Sequence, residues 1–525
     1  MNHPKYSRRD FVRGGACMIA AGGVSSFVPK LNLMGEALAQ SAVSGYKALV
    51  CVYLDGGNDS WNLLIPTGAN ASGQYSHAEY VAARNGLYTA ANTAGLAIPR
   101  VTTANALPPA VALTNTTGNL GVNPFAPELA ALYNSGRLSF LPNVGTLNDP
   151  ITRATYNARK KPPELYSHND QTNLWFIGSG NSVQSSMGFG GRIAGITSVP
   201  GAVALSPAIS IAGQTRFLVG ETLGNTPVFP FQMSTSTTTP APVLNNYNQG
   251  SSTLGEAQRR QALTQLFNIA YPELFSTEYK DIFRRSLDMA ANINTQATSA
   301  NAAITTTFPA NNSLADQLRQ VARMIKISKP GFVPPVGSTA IAANRQVFFV
   351  RLGGFDTHDG QITSTTAALG HHSLLQRLSQ AVNAFNNAMI EIGAVNDVTL
   401  FTMSDFARTI NSNGNGTDHA WGGVQFVMGG AVSGGQVYGR YPRMVLNLQG
   451  DNNGECFSRG QFLPTTASDQ YAATLARWMG VDNSNIPAIF PNIDNFVTGP
   501  FASAGLSPTF ANFNRVIPGM FAGIS

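Results

Sequence analysis

The sequence predicts an α/β protein with a doubly wound, mostly parallel sheet and helices on both faces. Three observations lead there. Residues 48–54 form a continuous apolar run that closes on Asp55-Gly56-Gly57, as a strand buried on both faces does when it opens into a glycine-rich turn. Residues 345–352 and 397–403 are two further runs of the same kind. Between them, residues 371–392 carry Leu374, Leu375, Leu378, Val382 and Phe385 at helical spacing. Strand, helix, strand in this order is a βαβ unit, whose right-handed crossover makes the two strands parallel.

From the N-terminus, Ser7-Arg8-Arg9-Asp10-Phe11-Val12 reads as a twin-arginine export signal. A mild apolar stretch, 14–28, follows it and is too short to span a bilayer stably. Ala37-Leu38-Ala39 offers the small-x-small pattern of a signal peptidase site. Cleavage after Ala39 leaves 486 of the 525 residues, expected as one domain over 40–525 with insertions. Residues 68–165 read as irregular with a few short helices, and 233–252 as a low-complexity surface loop. Helical patterns follow at 254–268, 278–293, 314–327 and 468–479, and short strands at 425–428 and 443–448. The implied partners in export are the twin-arginine translocase and signal peptidase, and the implied location is periplasmic or extracellular.

Composition excludes some classes. The formal charge is +6, but residues 1–39 hold five Lys/Arg against two Asp/Glu, so about +3 remains after cleavage, with no basic stripe to bind nucleic acid. No later run of about 20 apolar residues predicts a mature membrane span. Cys51 and Cys456 read as two buried thiols rather than a disulfide, because Cys51 lies inside an apolar strand.

Ligands of open α/β sheets bind beyond the carboxyl ends of the strands, and three polar clusters directly follow predicted strands. Asp55-Gly56-Gly57-Asn58-Asp59 couples two carboxylates to glycines that let backbone approach closely, which suits a hard cation or a plain turn. Gly353-Gly354-Phe355-Asp356-Thr357-His358 puts an oxygen and an imidazole ligand on one side of an extended segment. Ser404-Asp405-Phe406-Ala407-Arg408 is followed by Asp418-His419; Asp405, Asp418 and His419 are candidate ligands, and Arg408 a candidate clamp for an oxyanion. A fourth cluster, Tyr166-Ser167-His168-Asn169-Asp170-Gln171, packs hydroxyls, an imidazole and a carboxylate together. His371 and His372 open a helix and read as capping or surface residues.

Taken in order with the twin-arginine leader, these clusters resemble the bacterial family called domain of unknown function 1501, over about residues 47–479. That family is more distantly similar to the alkaline phosphatase and sulfatase superfamily. The resemblance implies an alkaline phosphatase-like fold with one or two divalent metals (zinc, manganese or calcium) at the strand ends. It also implies a hydrolase acting on an anionic phosphate or sulfate ester. On that basis Asp55 or Asp59, Asp356, His358, Asp405, Asp418 and His419 are expected to hold metal. Ser167 or a water is the expected nucleophile, His168 a ligand or general acid, and Arg408 the ester clamp. Phe406 stands where the superfamily has a histidine ligand, which argues against a second metal. The rival expectation is a non-catalytic secreted binding or surface-assembly protein on a degenerate scaffold.

Overall fold

The computed structural model describes residues 45–524, apart from 69–74, 115–119, 179–186, 199–204, 242–253, 271–272, 342, 448–455 and 498–514. The export signal and most of the low-complexity loop therefore lie outside the described residues.

One large sheet organises the chain. Its strands are β1 (Lys47–Asp55), β2 (Leu138–Gly145), β3 (Ala208–Ser210), β4 (Phe231–Gln232), β5 (Arg345–Gly353), β6 (Val398–Ser404), β7 (Gly423–Met428) and β8 (Thr466–Ala467). They lie in the order β8-β2-β7-β6-β1-β5-β3-β4. β7 runs antiparallel to both of its neighbours, and every other pairing is parallel. β1 lies in the middle, with β5 on one side and β6 on the other. Its side chains alternate between two cores: Ala48, Val50, Val52 and Leu54 face one, and Leu49, Cys51 and Tyr53 face the other. A strand covered on both faces has no use for polar residues, which is why 48–54 is apolar throughout.

The helices are α1 (His77–Ala83), α2 (Pro127–Asn134), α3 (His168–Ile177), α4 (Phe189–Thr197), α5 (Leu254–Asn268), α6 (Leu274–Ala297), α7 (Ser313–Ser328), α8 (His371–Glu391) and α9 (Ser468–Met479). Residues of α2, α7 and α8 build the first core, and residues of α3, α4 and α9 the second. The α/β class with helices on both faces is as expected. Cys51 and Cys456 are both buried and unpaired with each other.

Three expectations need correction. Residues 68–165 are not merely irregular, since they contribute β2, buried along its whole length. Pro142 hides this strand from a propensity argument, because proline lacks the ladder donor. The sheet absorbs it where the register with β7 shifts between Gly423 and Gln425, and Asn143 beside it takes φ 57°. Residues 443–447 form no strand. His371 and His372 are fully buried rather than capping or exposed. The His371 Nε2 lies 3.0 Å from Asn58 Oδ1, and the His372 ring stacks on Phe125 at 4.7 Å.

A second buried polar feature ties the first third of the chain to the sheet. Arg84, which caps α1, donates to Asp59 Oδ1 at 2.6 Å, and both side chains are fully buried. Gln361 Nε2 donates to the other Asp59 oxygen. Replacing one partner of a buried pair strands the other charge in a low-dielectric interior. Arg84→Met is accordingly expected to lower unfolding stability by about 3–5 kcal/mol. Chemical denaturation would measure it, and a loss below about 1 kcal/mol would show that the pair is not the strut described.

Burial also sets a pH dependence. It holds the His371 imidazole down to about 4 and His372 down to about 3. Both groups stay neutral in the folded chain while the unfolded chain protonates them near pH 6.5. Stability is therefore full above that value and falls as pH drops from about 6.5 towards 4, by up to about 1.4 kcal/mol per pH unit per histidine. Melting temperatures across this range would test the sign, and His372→Leu should flatten the slope.

Candidate metal centre

The ends of β1, β5 and β6 lie side by side, with Asp55 paired to Gly353 and Leu54 to Ser404. Chain leaving three adjacent parallel strands thus meets at one point. The β1 turn is shaped for close contact. Gly56 takes φ 112°, and a Cβ there would lie 2.5 Å from the Asp356 amide nitrogen; Gly57 takes φ 80°, and a Cβ there would meet the Phe406 ring at 2.5 Å. Only glycine fits either place.

The turn aims its amides at Asp405. The Gly56 and Gly57 N–H groups donate to Asp405 Oδ1 at 3.0 and 3.1 Å. Ser404 completes the seam, donating to the Leu54 carbonyl at 2.7 Å and accepting from the Asn58 amide at 2.9 Å. The second oxygen of Asp405 takes the Nδ1 of His168 at 2.6 Å. His168 is the first residue of α3, and Ser167 caps that helix by accepting from the Asp170 amide and donating to its carboxylate at 2.5 Å. The hydrogen bond from Asp405 raises His168 above the ordinary imidazole value, against the opposing pull of burial.

His419 is oriented in the same manner by a different partner. Its Nδ1 lies 2.7 Å from the Tyr166 carbonyl, which can only accept, so Nδ1 carries the proton and Nε2 a lone pair. Tyr166 itself adopts φ 76°, a conformation rare for an aromatic residue. Burial lowers the His419 pKa. The Phe406 ring lies 4.7 Å from that of His168 and 4.5 Å from that of His419, so it braces both imidazoles.

Asp356 completes the group, about half exposed, with Oδ1 at 3.7 Å from the Nε2 of both His168 and His419. Among the described residues, His168, Asp356 and His419 are the three whose candidate ligand atoms all lie within 4.8 Å of one another. Burial pushes the Asp356 carboxyl up, but the bond and charge of Arg408 outweigh it and hold the carboxyl below its usual range. His358 stands beside the group, its Nε2 at 2.9 Å from His419 Nε2 and 3.3 Å from Asp356, and its Nδ1 at 3.2 Å from Asp418. Two facing ring nitrogens at 2.9 Å need a proton or a cation between them.

The other expected site residues have different places. Asp55 pairs with Arg351 at the sheet's end. Asp59 is spent on Arg84 and Gln361. Asp405 has its oxygens filled by two amides and an imidazole, so its place is behind His168. Asp418 holds His358 and accepts from Asn413. Arg408 is fully buried: its three nitrogens donate to the carbonyls of Gly57, Thr417 and Gly56 and to Asp356, which makes it a strut rather than an ester clamp. Ser167 is a helix cap. The Tyr166 carbonyl was beyond sequence reasoning, since backbone groups leave no mark in residue identity; the Asp405 role shows only once the glycine turn is in place.

The profile of the family described as Protein of unknown function (DUF1501) matches residues 46–489. No curated protein matches the chain. Among solved structures, the chain matches "Crystal structure of Ps i-CgsB in complex with k-i-k-neocarrahexaose" at 9% identity and a TM-score of 0.30, over 86% of this chain and 78% of that one. So distant a likeness carries no assignment.

The capping geometry predicts that Ser167→Ala costs about 1 kcal/mol of stability and leaves divalent-cation binding intact. His419→Ala is expected to abolish that binding. Calorimetric titration with zinc or manganese, beside thermal melts, would separate the two; loss of cation binding in Ser167→Ala would return Ser167 to the site.

Proposed function

Because the chain belongs to the DUF1501 family, proteins of unknown function, its chemistry has to be read from the site, and we propose that it is an exported, metal-dependent hydrolase of phosphate or sulfate esters with an alkaline phosphatase-like core. The observation that supports this most is the convergence of two imidazole Nε2 atoms and a carboxylate at the carboxyl ends of parallel strands. Each imidazole has its far nitrogen held by an oxygen acceptor, as histidines that ligate metals do.

The donors fit a borderline divalent ion. Two nitrogens and an oxygen suit zinc or manganese, whereas calcium takes six to eight oxygens. His168, Asp356 and His419 would hold one ion, with the buried Phe406 ring packed on both imidazoles. Bound there, such an ion would polarise a phosphoryl or sulfuryl oxygen and lower the pKa of water.

The chain's own residues set the rest. Asp405 and the Tyr166 carbonyl fix the tautomers, and Arg408 steadies Asp356 from below. Ser167 is engaged with Asp170, so water is the nucleophile in this mechanism. Its oxygen adds to phosphorus or sulfur, the bond to the alcohol oxygen breaks, and the proton from water leaves to solvent. His358 is backed by Asp418, partly open to solvent, and placed to give the departing oxygen a proton. Export through the twin-arginine translocase and cleavage after Ala39 belong to the same proposal. Among the described residues, no helix is long and apolar enough to cross a membrane.

The burial of Arg408 favours a second reading, a non-catalytic secreted binding protein, because its guanidinium is engaged with Asp356 and three carbonyls and is not free to grip an ester. Elemental mass spectrometry decides between them on protein purified without added metal or chelator. The hydrolase requires about one equivalent of zinc or manganese, lost in Asp356→Ala and His419→Ala, together with turnover of a model phosphate or sulfate ester. Protein that carries no metal and takes none up on titration would leave the binding role standing.

A further inference from the structure

We propose that the loop over residues 147–166 is a docking surface for an acidic polysaccharide, so that the esters presented to the site are carried on a sulfated or phosphorylated glycan chain. The inference rests on the hydrolase reading for the chemistry at the metal centre, but not for the docking itself.

Charge is the first argument. Residues 153–161 contain Arg153, Arg159, Lys160 and Lys161 and no acidic residue, a charge of +4 in nine positions, and with Asp149 and Glu164 at its ends the whole loop over 147–166 nets +2. Like charges this close repel one another and make an attractive patch for a polyanion.

Position is the second. The loop is pinned at both ends to the candidate centre. At its start the Trp421 indole, two residues beyond His419, donates to the Thr146 carbonyl at 2.8 Å. At its end Gln171, in the first turn of α3, donates to the carbonyls of Pro163 and Glu164 at 3.0 and 3.2 Å. The Tyr166 carbonyl then orients His419. Tyr156, Tyr166 and Phe457 pack against one small apolar cluster that includes Trp421. Loop and metal centre thus share a common support.

Preorganisation is the third. Lys161 Nζ sits 4.5 Å above the Tyr156 ring and donates to the Tyr156 carbonyl at 3.0 Å. Arg153 lies 5.4 Å over Phe457, and the two rings are 4.9 Å apart. Lys161 is held on an aromatic face instead of fanning into solvent, and Arg153 is fixed by its donations to the Cys456 carbonyl and Asn447 Oδ1. A mixed surface of fixed cations, partly exposed rings and the exposed Asn157 amide suits a ligand with apolar C–H faces, hydroxyls and anionic esters. Polyphosphate offers only the charge.

The test measures binding of the full protein to immobilised dextran sulfate at low and high ionic strength, with neutral dextran and polyphosphate as comparators. The parent should bind dextran sulfate in a salt-sensitive manner and ignore dextran. The Arg159→Gln/Lys160→Gln/Lys161→Gln variant should bind about tenfold more weakly at low ionic strength. Binding of the parent in the presence of a metal chelator should be unchanged, which keeps failure of docking apart from failure of the metal centre. If the triple variant melts early, Lys160→Gln alone, an exposed position, should still weaken binding about twofold. Equal binding by parent and variants, no binding by the parent, or tighter binding of polyphosphate than of dextran sulfate would each overturn the proposal.

Discussion

The candidate centre depends on one fully buried carboxylate. Asp405 leaves β6 fully buried and is neutralised by two backbone amides of the β1 turn and by the His168 ring. A buried anion needs this kind of compensation, since an unsatisfied charge would cost several kcal/mol. In meeting its own requirement, Asp405 locks the β1 turn to β6 and points His168 at Asp356. Gly56 and Gly57 follow from the same demand: their amides reach Asp405 only in conformations that a side chain would block. Phe406, Arg408 and Tyr166 then hold the remaining pieces against this seam.

Much of this was legible in the residues. The three apolar runs that end in glycine or aspartate announced the central strands, because burial on both faces leaves no other composition open to them. The clusters after those runs supplied Asp356, His358, Asp405 and His419, and the separate cluster at 166–171 supplied His168. The division of labour among them was not legible. Asp59 and Asp405 both follow strands and both read as ligands, yet Asp59 is matched to an arginine from α1 and Asp405 to amides from its neighbouring turn. Which cation or donor lies opposite a carboxylate is a tertiary fact. The strand at Leu138–Gly145 stayed hidden for a local reason, since Pro142 contradicts a strand unless a bulge across the ladder takes up the mismatch. His371 and His372 misled because polar residues at a helix start so often cap it, whereas here the start of α8 is sunk beneath the β1 turn.

The arrangement separates rigidity from chemistry. The buried charges, Arg84 with Asp59 and Arg408 with Asp356 and three carbonyls, fix loops and leave little freedom for ligand capture. The most exposed groups of the cluster are Asp356, His358 and Asp418. Any gain in grip on an extended anionic ligand has to come from outside this frame, and the cationic loop ahead of α3 is anchored where it can supply it.

The central place of β1 has a consequence for biosynthesis. It is the first strand made among the described residues, yet its pairing partners on both sides are made far later; Tyr46 must wait 300 residues for Gln346. Until then an apolar segment with two bare edges has nothing native to pair with, a condition that invites association with other chains. His419 is made later still, so the candidate centre can come together only after most of the chain has been synthesised.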